Sequence, residues 1–578
     1  MDAQFPSTLI PNDDQTGVKK KIAIIGAGPA GLAALKAVLE SPQYKAGLWE
    51  TIVFESRSSL GGVWLPDAPD AHKPDVPPAT PLYDMLTTNL PHPLMCYSDF
   101  LFPPETPLFP KAAAVLQYLE AYADRFNLRP HILFNTTVTS VEPNPSDPSG
   151  EFKWKIQTSI LSMDVDLVIV GNGHYSVPRY PTTPGLSTWL SESSKAQHAV
   201  FYRHPLPKHG DKVLVVGAGP SGRDISTELL STGRTVIHSM TGTPSEDKLG
   251  GKLKLRGRVK EYGDPQTGTL TFEDGSEETG VDFCILATGY EYSFPFLDSS
   301  VLHYPTSSDG ASTPYPPPPP PLPTRLYNTS FNVFPLAQHL LPLIPYHPSN
   351  GDNGSPTSYP PTSLAFLGLL TRVSPLPLVE IQSKAVLAAF AHPENIDLTK
   401  EAVEVMNRYY ELLPTGTTNQ NPDEALKVVM KNWHKFEPQD QYDYRDKLAS
   451  FVDSVSSPAP PSATSSPTLP TTTSTPTPKV PSYERYFYSL KDILRSTWVK
   501  LEKSGEAEEW VRGVGQGGLE TSDSDERLKK AKEEWVELMH RVVRRGEEDM
   551  EREYRERQRG GNEKVETIDD VDVGGAKL

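Results

Sequence analysis

The chain has few of the features that mark secreted, metal-binding or nucleic-acid-binding proteins. Its 578 residues include only two cysteines, Cys96 and Cys284. Their separation excludes a CxxC redox pair and a thiolate metal cluster, and indicates a reducing compartment. Acidic residues outnumber basic ones by 73 to 55, and the formal net charge of −18 argues against nucleic acid as a partner. We therefore expect neither a metal site nor a nucleic-acid partner.

Long hydrophobic runs are also missing. No segment approaches the ~18 apolar residues of a membrane span, and the best candidate, 364–370, indicates a buried strand. The first 21 residues lack the apolar stretch of a secretory signal. We expect a cytoplasmic protein. Peroxisomal import is the alternative, because the ending Ala576-Lys577-Leu578 resembles the Ser-Lys-Leu address that the import receptor binds.

Two glycine fingerprints of the form GxGxxG are present, each directly after a short, β-branched apolar run. The first glycine of this motif makes a tight turn, the second lets the backbone approach a pyrophosphate, and the third lets the helix pack closely on its strand. The pyrophosphate then lies on the helix N-terminus. Two such units predict two nucleotide cofactors, with binding positions Gly26, Gly28 and Gly31 in the first and Gly217, Gly219, Ser221 and Gly222 in the second.

The end of the following strand distinguishes the two units. In the first unit it is Glu55, 24 positions beyond Gly31, near the roughly 20-residue spacing of a carboxylate that accepts hydrogen bonds from a ribose diol. In the second unit the strand ends at Ser239 and no carboxylate follows, which favours NADP over NAD. A partner for the 2′-phosphate has to come from elsewhere, and the candidates are Lys248, Lys252, Lys254 and Arg256.

Between and after the fingerprints, the chain resembles the flavin-containing monooxygenases, which are class B flavoprotein monooxygenases that oxygenate nitrogen and sulfur. The resemblance covers roughly residues 19–390. It rests on motifs in a fixed order at 61–64 (GGVW), 83–89 (YDMLTTN), 95–100 (MCYSDF), 134–138 (FNTTV), 170–175 (VGNGHY), 287–290 (ATGY), 364–368 (LAFLG) and 380–382 (EIQ).

The resemblance implies an α/β fold with two Rossmann-like dinucleotide-binding domains, the FAD domain being split by an inserted NADPH domain and followed by C-terminal helices. The divisions expected are a disordered N-terminus (1–18), the first part of the FAD-binding domain (19–205), the NADPH-binding domain (206–295), the second FAD-binding part (296–450) with Pro-rich insertions near 307–323 and 346–361, a Pro/Ser/Thr linker (451–482), C-terminal helices (483–559) and a tail (560–578).

The resemblance also implies an activity of the N,N-dimethylaniline monooxygenase type. FAD is reduced by NADPH and reacts with O₂, and the resulting C4a-hydroperoxyflavin gives one oxygen atom to a soft nitrogen or sulfur of a small molecule. The cofactor carries this chemistry, and the protein supplies a dry pocket. In the family pattern, Asn89 is the catalytic residue, lying beside the flavin and the nicotinamide. Further cofactor-binding positions are Gly62, Trp64, Thr88, Val138, Ser239, Thr288, Gly289 and Gln382.

One family motif is incomplete. The identifying sequence FxGxxxH, followed by an aromatic residue, keeps His198 and Tyr202, but Glu192 and Ser194 replace the phenylalanine and the glycine. Tyr202, where Baeyer–Villiger relatives have Trp, favours heteroatom oxygenation over ester formation. Two alternatives stay open, a Baeyer–Villiger monooxygenase and an NADPH oxidase flavoprotein that has lost efficient oxygen transfer. A disulfide reductase is excluded by the missing cysteine pair. The sequence does not decide between a monomer and a homo-oligomer.

Overall fold

The computed structural model describes residues 19–70, 72–73, 75–144, 151–192, 194–243, 245–304, 315–346, 359–414, 422–457, 477, 479–517 and 524–559. The N-terminus (1–18), the tail with Ala576-Lys577-Leu578, and parts of both Pro-rich insertions and of the linker lie outside these ranges. Within these ranges, no helix combines the length and the apolar character that a membrane crossing requires.

The first fingerprint strand lies at the centre of a parallel sheet. The five strands, in sheet order, are Leu364–Phe366, Leu167–Val170, Lys20–Ile25, Trp49–Phe54 and Ile132–Leu133. Because helices and loops cover both faces of the sheet, the central strands are continuously apolar. The helices of this part are Pro29–Glu40, Pro42–Lys45 and Ala112–Arg125. An antiparallel sheet of Val138–Asn144, Lys153–Thr158 and Ser162–Val165 packs beside it.

The second fingerprint strand lies inside a six-stranded sheet. In sheet order its strands are Glu246–Lys248, Leu253–Arg256, Thr235–Ser239, Lys212–Val216, Phe283–Leu286 and Ala196–His198, and only the first is antiparallel. One helix, Pro220–Ser231, follows the fingerprint, and a small sheet contains Val259–Tyr262, Leu270–Phe272 and Glu277–Glu278. Since Ala196–His198 pairs here, we propose that the second domain takes in residues before 206.

The chain then returns to the first sheet. Two short hairpins pair Tyr327–Asn328 with Val333–Phe334 and Leu336–Ala337 with Leu341–Pro342. The helices Pro375–Ala391, Leu398–Leu412, Pro422–Asn432 and Asp440–Ser456 follow. The last of them continues into the predicted linker (451–482), because Phe451 and Val455 are buried in the core. The insertions are anchored at their ends, where Leu322 packs on the core and Tyr359 is fully buried.

Four helices near the C-terminus, Ser482–Ser489, Lys491–Ser504, Ala507–Val511 and Ser524–Arg559, are called the C-terminal helices below. They share a hydrophobic cluster with the segment 90–109, through buried residues that include Leu90, Leu94, Phe109, Trp498 and Trp535. The predicted α/β class with two Rossmann-like units and C-terminal helices is therefore confirmed.

Candidate dinucleotide-binding and active site

The first fingerprint forms an uncapped helix start. The helix Pro29–Glu40 begins at Gly28, where no side chain caps the first amide groups. These N–H groups remain available for an anion at the positive end of the helix dipole. The third glycine allows close packing, because a Cβ on Gly31 would lie 1.8 Å from the carbonyl oxygen of Gly26.

Glu55 lies where a ribose-binding carboxylate is expected. Its side chain is 5% exposed, and it accepts hydrogen bonds from the backbone N–H of Ala27 at 2.7 Å and of Arg57 at 2.9 Å. The carboxylate is thus attached to the fingerprint turn itself. The parallel pairing of the strands Lys20–Ile25 and Trp49–Phe54 brings the two segments together.

The GGVW motif closes over the first fingerprint. Gly61 N–H donates to the Ala27 carbonyl at 3.0 Å, and a Cβ on Gly62 would lie 2.7 Å from the Gly28 Cα. Trp64 is half-buried at the end of the short helix Gly62–Trp64. Arg57, which the sequence analysis did not single out, donates to the carbonyls of Gly62 and Leu65 at 3.2 and 2.8 Å. Its guanidinium therefore holds the loop beside the predicted FAD site.

The second fingerprint repeats this geometry with a more open cradle. The helix Pro220–Ser231 begins at Gly219, again without a side-chain cap. A Cβ on Gly222 would lie 2.1 Å from the Gly217 carbonyl oxygen, whereas a Cβ on Gly219 would meet no atom of the described chain within 4 Å. Ser221 is half-buried in the first turn. The space at Gly219 fits a pyrophosphate, which is the group that the motif predicts there.

The motifs at 170–175 and 287–290 occupy equivalent places in the first and the second unit. A Cβ on Gly26 would meet the Gly171 carbonyl oxygen at 2.7 Å, and a Cβ on Gly217 would meet that of Ala287 at 2.2 Å. Each first glycine therefore contacts the end of the neighbouring parallel strand. Beyond Ala287, the Thr288 hydroxyl donates to the Arg179 carbonyl at 2.6 Å, and the Gly289 carbonyl accepts from the Arg179 N–H at 3.0 Å.

The basic residues predicted to bind a 2′-phosphate are engaged elsewhere. Lys254 and Arg256 pair with Glu278 at 3.0 and 2.6 Å, and Lys252 donates to the Gly233 carbonyl at 2.9 Å. Lys248 lies 3.4 Å from Glu246. The sequence could not show these partners because Glu278 reaches the sheet from a different strand. Ser239 is also buried, and its hydroxyl donates to the Gly257 carbonyl at 2.8 Å.

Arg258 is better placed for that phosphate, although the sequence analysis passed over it. Its Nη2 lies 3.4 Å from the Thr241 hydroxyl, just beyond the strand Thr235–Ser239. The side chain is 58% exposed, and its ion pair with Glu273 spans 3.7 Å between two exposed groups. Such a pair is worth little, so the guanidinium is available to an anion.

The two residues that remain of the incomplete family motif, His198 and Tyr202, are both buried. His198 Nδ1 accepts the Val200 N–H at 3.1 Å, so its Nε2 carries the proton and donates to the Gly289 carbonyl at 3.0 Å. Burial lowers the pKa of His198 to about 4, which keeps the ring neutral. The Tyr202 hydroxyl donates to Glu228 at 2.8 Å. His198 thus connects the strand Ala196–His198 to the turn at Gly289.

Ser194 has the backbone conformation that suits the glycine it replaces. Its φ of 52° lies in the left-handed region, which costs a residue with a Cβ about 1 kcal/mol. We expect Ser194→Gly to raise the free energy of unfolding by about 0.5 kcal/mol, after the greater chain entropy of glycine is subtracted. Denaturant unfolding measures this. A loss of stability would contradict the assigned strain.

Asn89 is held in place by its neighbours. Thr88 and Leu90 are buried, and the Thr88 hydroxyl donates to the Leu90 carbonyl at 2.8 Å. Thr88 N–H also donates to the Pro110 carbonyl at 3.0 Å. Asn89 itself is exposed. Its amide is therefore presented on a fixed segment between buried anchors.

Two other predicted residues, Gln382 and Val138, lie deeper in the protein, and so does His174 of the motif at 170–175. Gln382 is fully buried, accepts the Gly368 N–H at 3.1 Å and donates to the Tyr444 hydroxyl at 3.3 Å. Val138 is buried in a cluster with Phe54. His174 stacks on Tyr292 with ring centroids 4.6 Å apart, and burial lowers its pKa to about 4. Gln382 therefore shapes the core next to the loop after the strand Leu364–Phe366.

Neither cysteine is placed for redox chemistry. Cys96 and Cys284 are both buried, and burial raises the pKa of each thiol to about 12. Both remain protonated at neutral pH, and thiols are poor nucleophiles in that form. In the described part of the chain, no group of acidic, histidine and cysteine side chains could hold a metal ion.

The chain is similar to proteins of a known family. The model of the family described as flavin-binding monooxygenase-like matches residues 19–245 and 243–309. The chain is similar to the thiol-specific monooxygenase of Saccharomyces cerevisiae, with 34% identity over 49% of this chain and 63% of the yeast protein. It is also similar to flavin-containing monooxygenase 5 of Mus musculus, with 29% identity over 49% of this chain and 64% of the mouse protein. The chain therefore covers less than two thirds of either relative.

Among solved structures, that of S-allyl-L-cysteine S-oxygenase from Allium sativum matches with a TM-score of 0.60 and 23% identity, covering 90% of this chain and all of that one. This likeness shows a shared fold. Fold and fingerprints together define a protein with two dinucleotide-binding α/β units. The matching family model goes further, and the chain belongs to the flavin-binding monooxygenase-like family, which confirms the resemblance found in the sequence.

Proposed function

We propose that the protein is an FAD- and NADPH-dependent monooxygenase that inserts one oxygen atom from O₂ into a soft sulfur or nitrogen of a small molecule. The observation that carries the proposal is the pair of uncapped fingerprint helices, of which only the first is joined to a buried carboxylate, Glu55. A carboxylate suits the unphosphorylated ribose of FAD, and its absence at Ser239 suits NADPH. When bound, FAD supplies the redox chemistry, with NADPH as the reductant.

The chain's own residues bind and position the reactants. Glu55 and the first fingerprint helix hold the ribose and pyrophosphate of FAD, with Arg57 fixing the loop above. Gly219 leaves room for the second pyrophosphate. The Asn89 amide donates and accepts hydrogen bonds without changing charge, so it can orient polar groups of both cofactors and leave no buried ion in the pocket.

Sulfur is the first atom to test, because the yeast relative is named a thiol-specific monooxygenase. Tyr202 stands where the Baeyer–Villiger relatives have Trp, and this also favours heteroatom oxygenation. The altered motif before His198 is the reason to consider an oxidase. Ser194, however, keeps the left-handed conformation that a glycine would adopt there. We therefore place oxygen transfer ahead of peroxide release.

The test is a balance of reactants and products. Purified protein is supplied with NADPH, O₂ and either a thioether or a tertiary amine, and the amounts of NADPH oxidised, sulfoxide or N-oxide formed and hydrogen peroxide released are compared. A yield of oxygenated product near one per NADPH supports the proposal. Stoichiometric peroxide with every substrate would support the oxidase, and ester formation from a cyclic ketone would support the Baeyer–Villiger alternative.

The proposed 2′-phosphate site makes a separate prediction. Arg258→Gln removes one charge-assisted hydrogen bond, so we expect the KM for NADPH to rise about 10-fold while the KM for NADH is unchanged. Lys260→Gln, an exposed cation in the neighbouring strand Val259–Tyr262, is the matched control. Equal changes with both nucleotides, or in both variants, would show that Arg258 does not recognise the phosphate.

A further inference from the structure

The C-terminal helices lie outside the residues that the family model matches, which end at 309. They nevertheless contact the segment that carries Asn89. Leu90 and Leu94 on that segment are buried in one hydrophobic cluster with Leu494, Trp498 and Trp535. The cluster therefore joins the C-terminal helices to the chain directly after Asn89.

Polar contacts reach both sides of Asn89. Upstream, Arg495 Nη2 donates to the Thr87 hydroxyl at 2.5 Å. Downstream, the Lys532 ammonium donates to the Ser98 carbonyl at 2.6 Å. The buried ring of His92 lies between these points, with its centroid 4.3 Å from that of Trp535 in an edge-on arrangement. Residues 87–98 are thus held by C-terminal side chains at several places.

Arg495 also lies near the second fingerprint unit. Asp224 is on the helix Pro220–Ser231 and accepts the Tyr83 hydroxyl hydrogen bond. Burial lowers the pKa of Arg495, and the negative charge of Asp224 acts in the opposite direction. The guanidinium carbon lies 5.0 Å from the centroid of the Phe109 ring, within the range of a cation–π contact. The guanidinium therefore contacts the Asn89 segment directly, while the negative charge of Asp224 on the second unit favours its charged form.

The Arg495 guanidinium does not use all of its hydrogen-bond donors. Its Nη1 is buried and has no hydrogen-bond partner among the residues that the structure describes. An unpaired buried donor costs about 1–3 kcal/mol, which a protein optimised for stability alone would avoid. Exposed arginines elsewhere on these helices, such as Arg544 beside Glu537, make ordinary ion pairs.

We propose that Arg495 is a positioning residue, through which the C-terminal helices hold Thr87 and thereby the Asn89 amide in the orientation that oxygen transfer requires. This inference rests on the proposed function. The property that Arg495 is expected to affect is the coupling of the reaction, which is the fraction of oxidised NADPH that yields oxygenated substrate. A shift of about 1 Å in a positioned group can cost about 100-fold in rate, so loss of the Thr87 contact is expected to favour peroxide release.

Arg495→Met and Thr87→Val test the contact from its two sides. We expect each to lower coupling about 5- to 10-fold, with flavin content, the KM for NADPH and the rate of NADPH oxidation near those of the parent. Arg495→Lys keeps the charge and is expected to recover part of the coupling. Arg544→Met is the matched control on the same helices. The double variant Arg495→Met/Thr87→Val should be no worse than either single variant.

The readout separates a positioning role from a structural one, because a merely destabilised protein would lose flavin and thermal stability together with all activities. Parent-level coupling in both Arg495→Met and Thr87→Val would overturn this inference and leave the proposed function standing. An equal loss in Arg544→Met would overturn it as well. A parent protein that oxygenates no thioether and no amine would overturn the proposed function, and this inference with it.

Discussion

Replacing Glu55 by alanine is expected to yield a protein without flavin. Without this carboxylate, the ribose diol of FAD loses two charge-assisted hydrogen bonds, worth about 1.5–3 kcal/mol each. FAD binding therefore weakens about 100-fold or more. The same change leaves the N–H groups of Ala27 and Arg57 without their acceptor. We therefore also expect the free energy of unfolding of the flavin-free protein to fall by about 1–3 kcal/mol. Flavin absorbance after gel filtration and denaturant unfolding measure the two effects.

The control for this variant is Glu50→Ala. Glu50 lies on the same strand, Trp49–Phe54, but is partly exposed and pairs with Lys21 at 3.4 Å. A pair of this kind contributes little, so flavin content and stability should stay close to those of the parent. Full flavin retention in Glu55→Ala would show that FAD does not use the first fingerprint unit as proposed.

Alanine substitutions at two glycines of the second fingerprint are expected to affect different properties, stability at Gly222 and NADPH binding at Gly219. Gly222→Ala places a Cβ 2.1 Å from the Gly217 carbonyl oxygen, and the helix has to move off its strand. We expect a loss of about 3 kcal/mol in the free energy of unfolding. Gly219→Ala adds its Cβ in open space. Stability is retained there, but the KM for NADPH rises about 100-fold because the methyl group occupies the place of the pyrophosphate.

Each of these variants is the control for the other. Thermal unfolding gives the stability change, and steady-state kinetics at saturating oxygen give the KM for NADPH. Flavin content should be unchanged in Gly219→Ala, since the first fingerprint is intact. A Gly219→Ala protein with the parent KM for NADPH would show that the open cradle is not the nucleotide site.

Local features of this fold could be predicted because their causes are local. A tight turn favours glycine where φ is strongly positive, as at Gly26 (100°) and Gly217 (128°), and close packing needs glycine at Gly31 and Gly222. Glu55 follows from chain spacing, because one helix and one parallel strand take a nearly constant number of residues.

The partners of charged side chains could not be predicted in this way. Arg256 is close in sequence to the second fingerprint strand, yet it pairs with Glu278 from another strand, and Arg258 is left beside Thr241. The contact of Arg495 with Thr87 joins residues 408 positions apart. No periodicity or spacing encodes such distances, because they depend on how packed elements lie against one another.

The sequence by itself determined the class of this protein: two dinucleotide-binding units, the carboxylate that distinguishes them, and membership in a monooxygenase family. The units and the carboxylate follow from backbone geometry within short segments, where a glycine or a strand-end residue has few alternatives, and the family follows from the resemblance of its motifs. Only the tertiary structure decided that Glu278 pairs with Arg256 and leaves Arg258 exposed, and which helices contact the segment that carries Asn89. Those outcomes depend on burial and on competition among many charges, which are settled only when distant segments pack together.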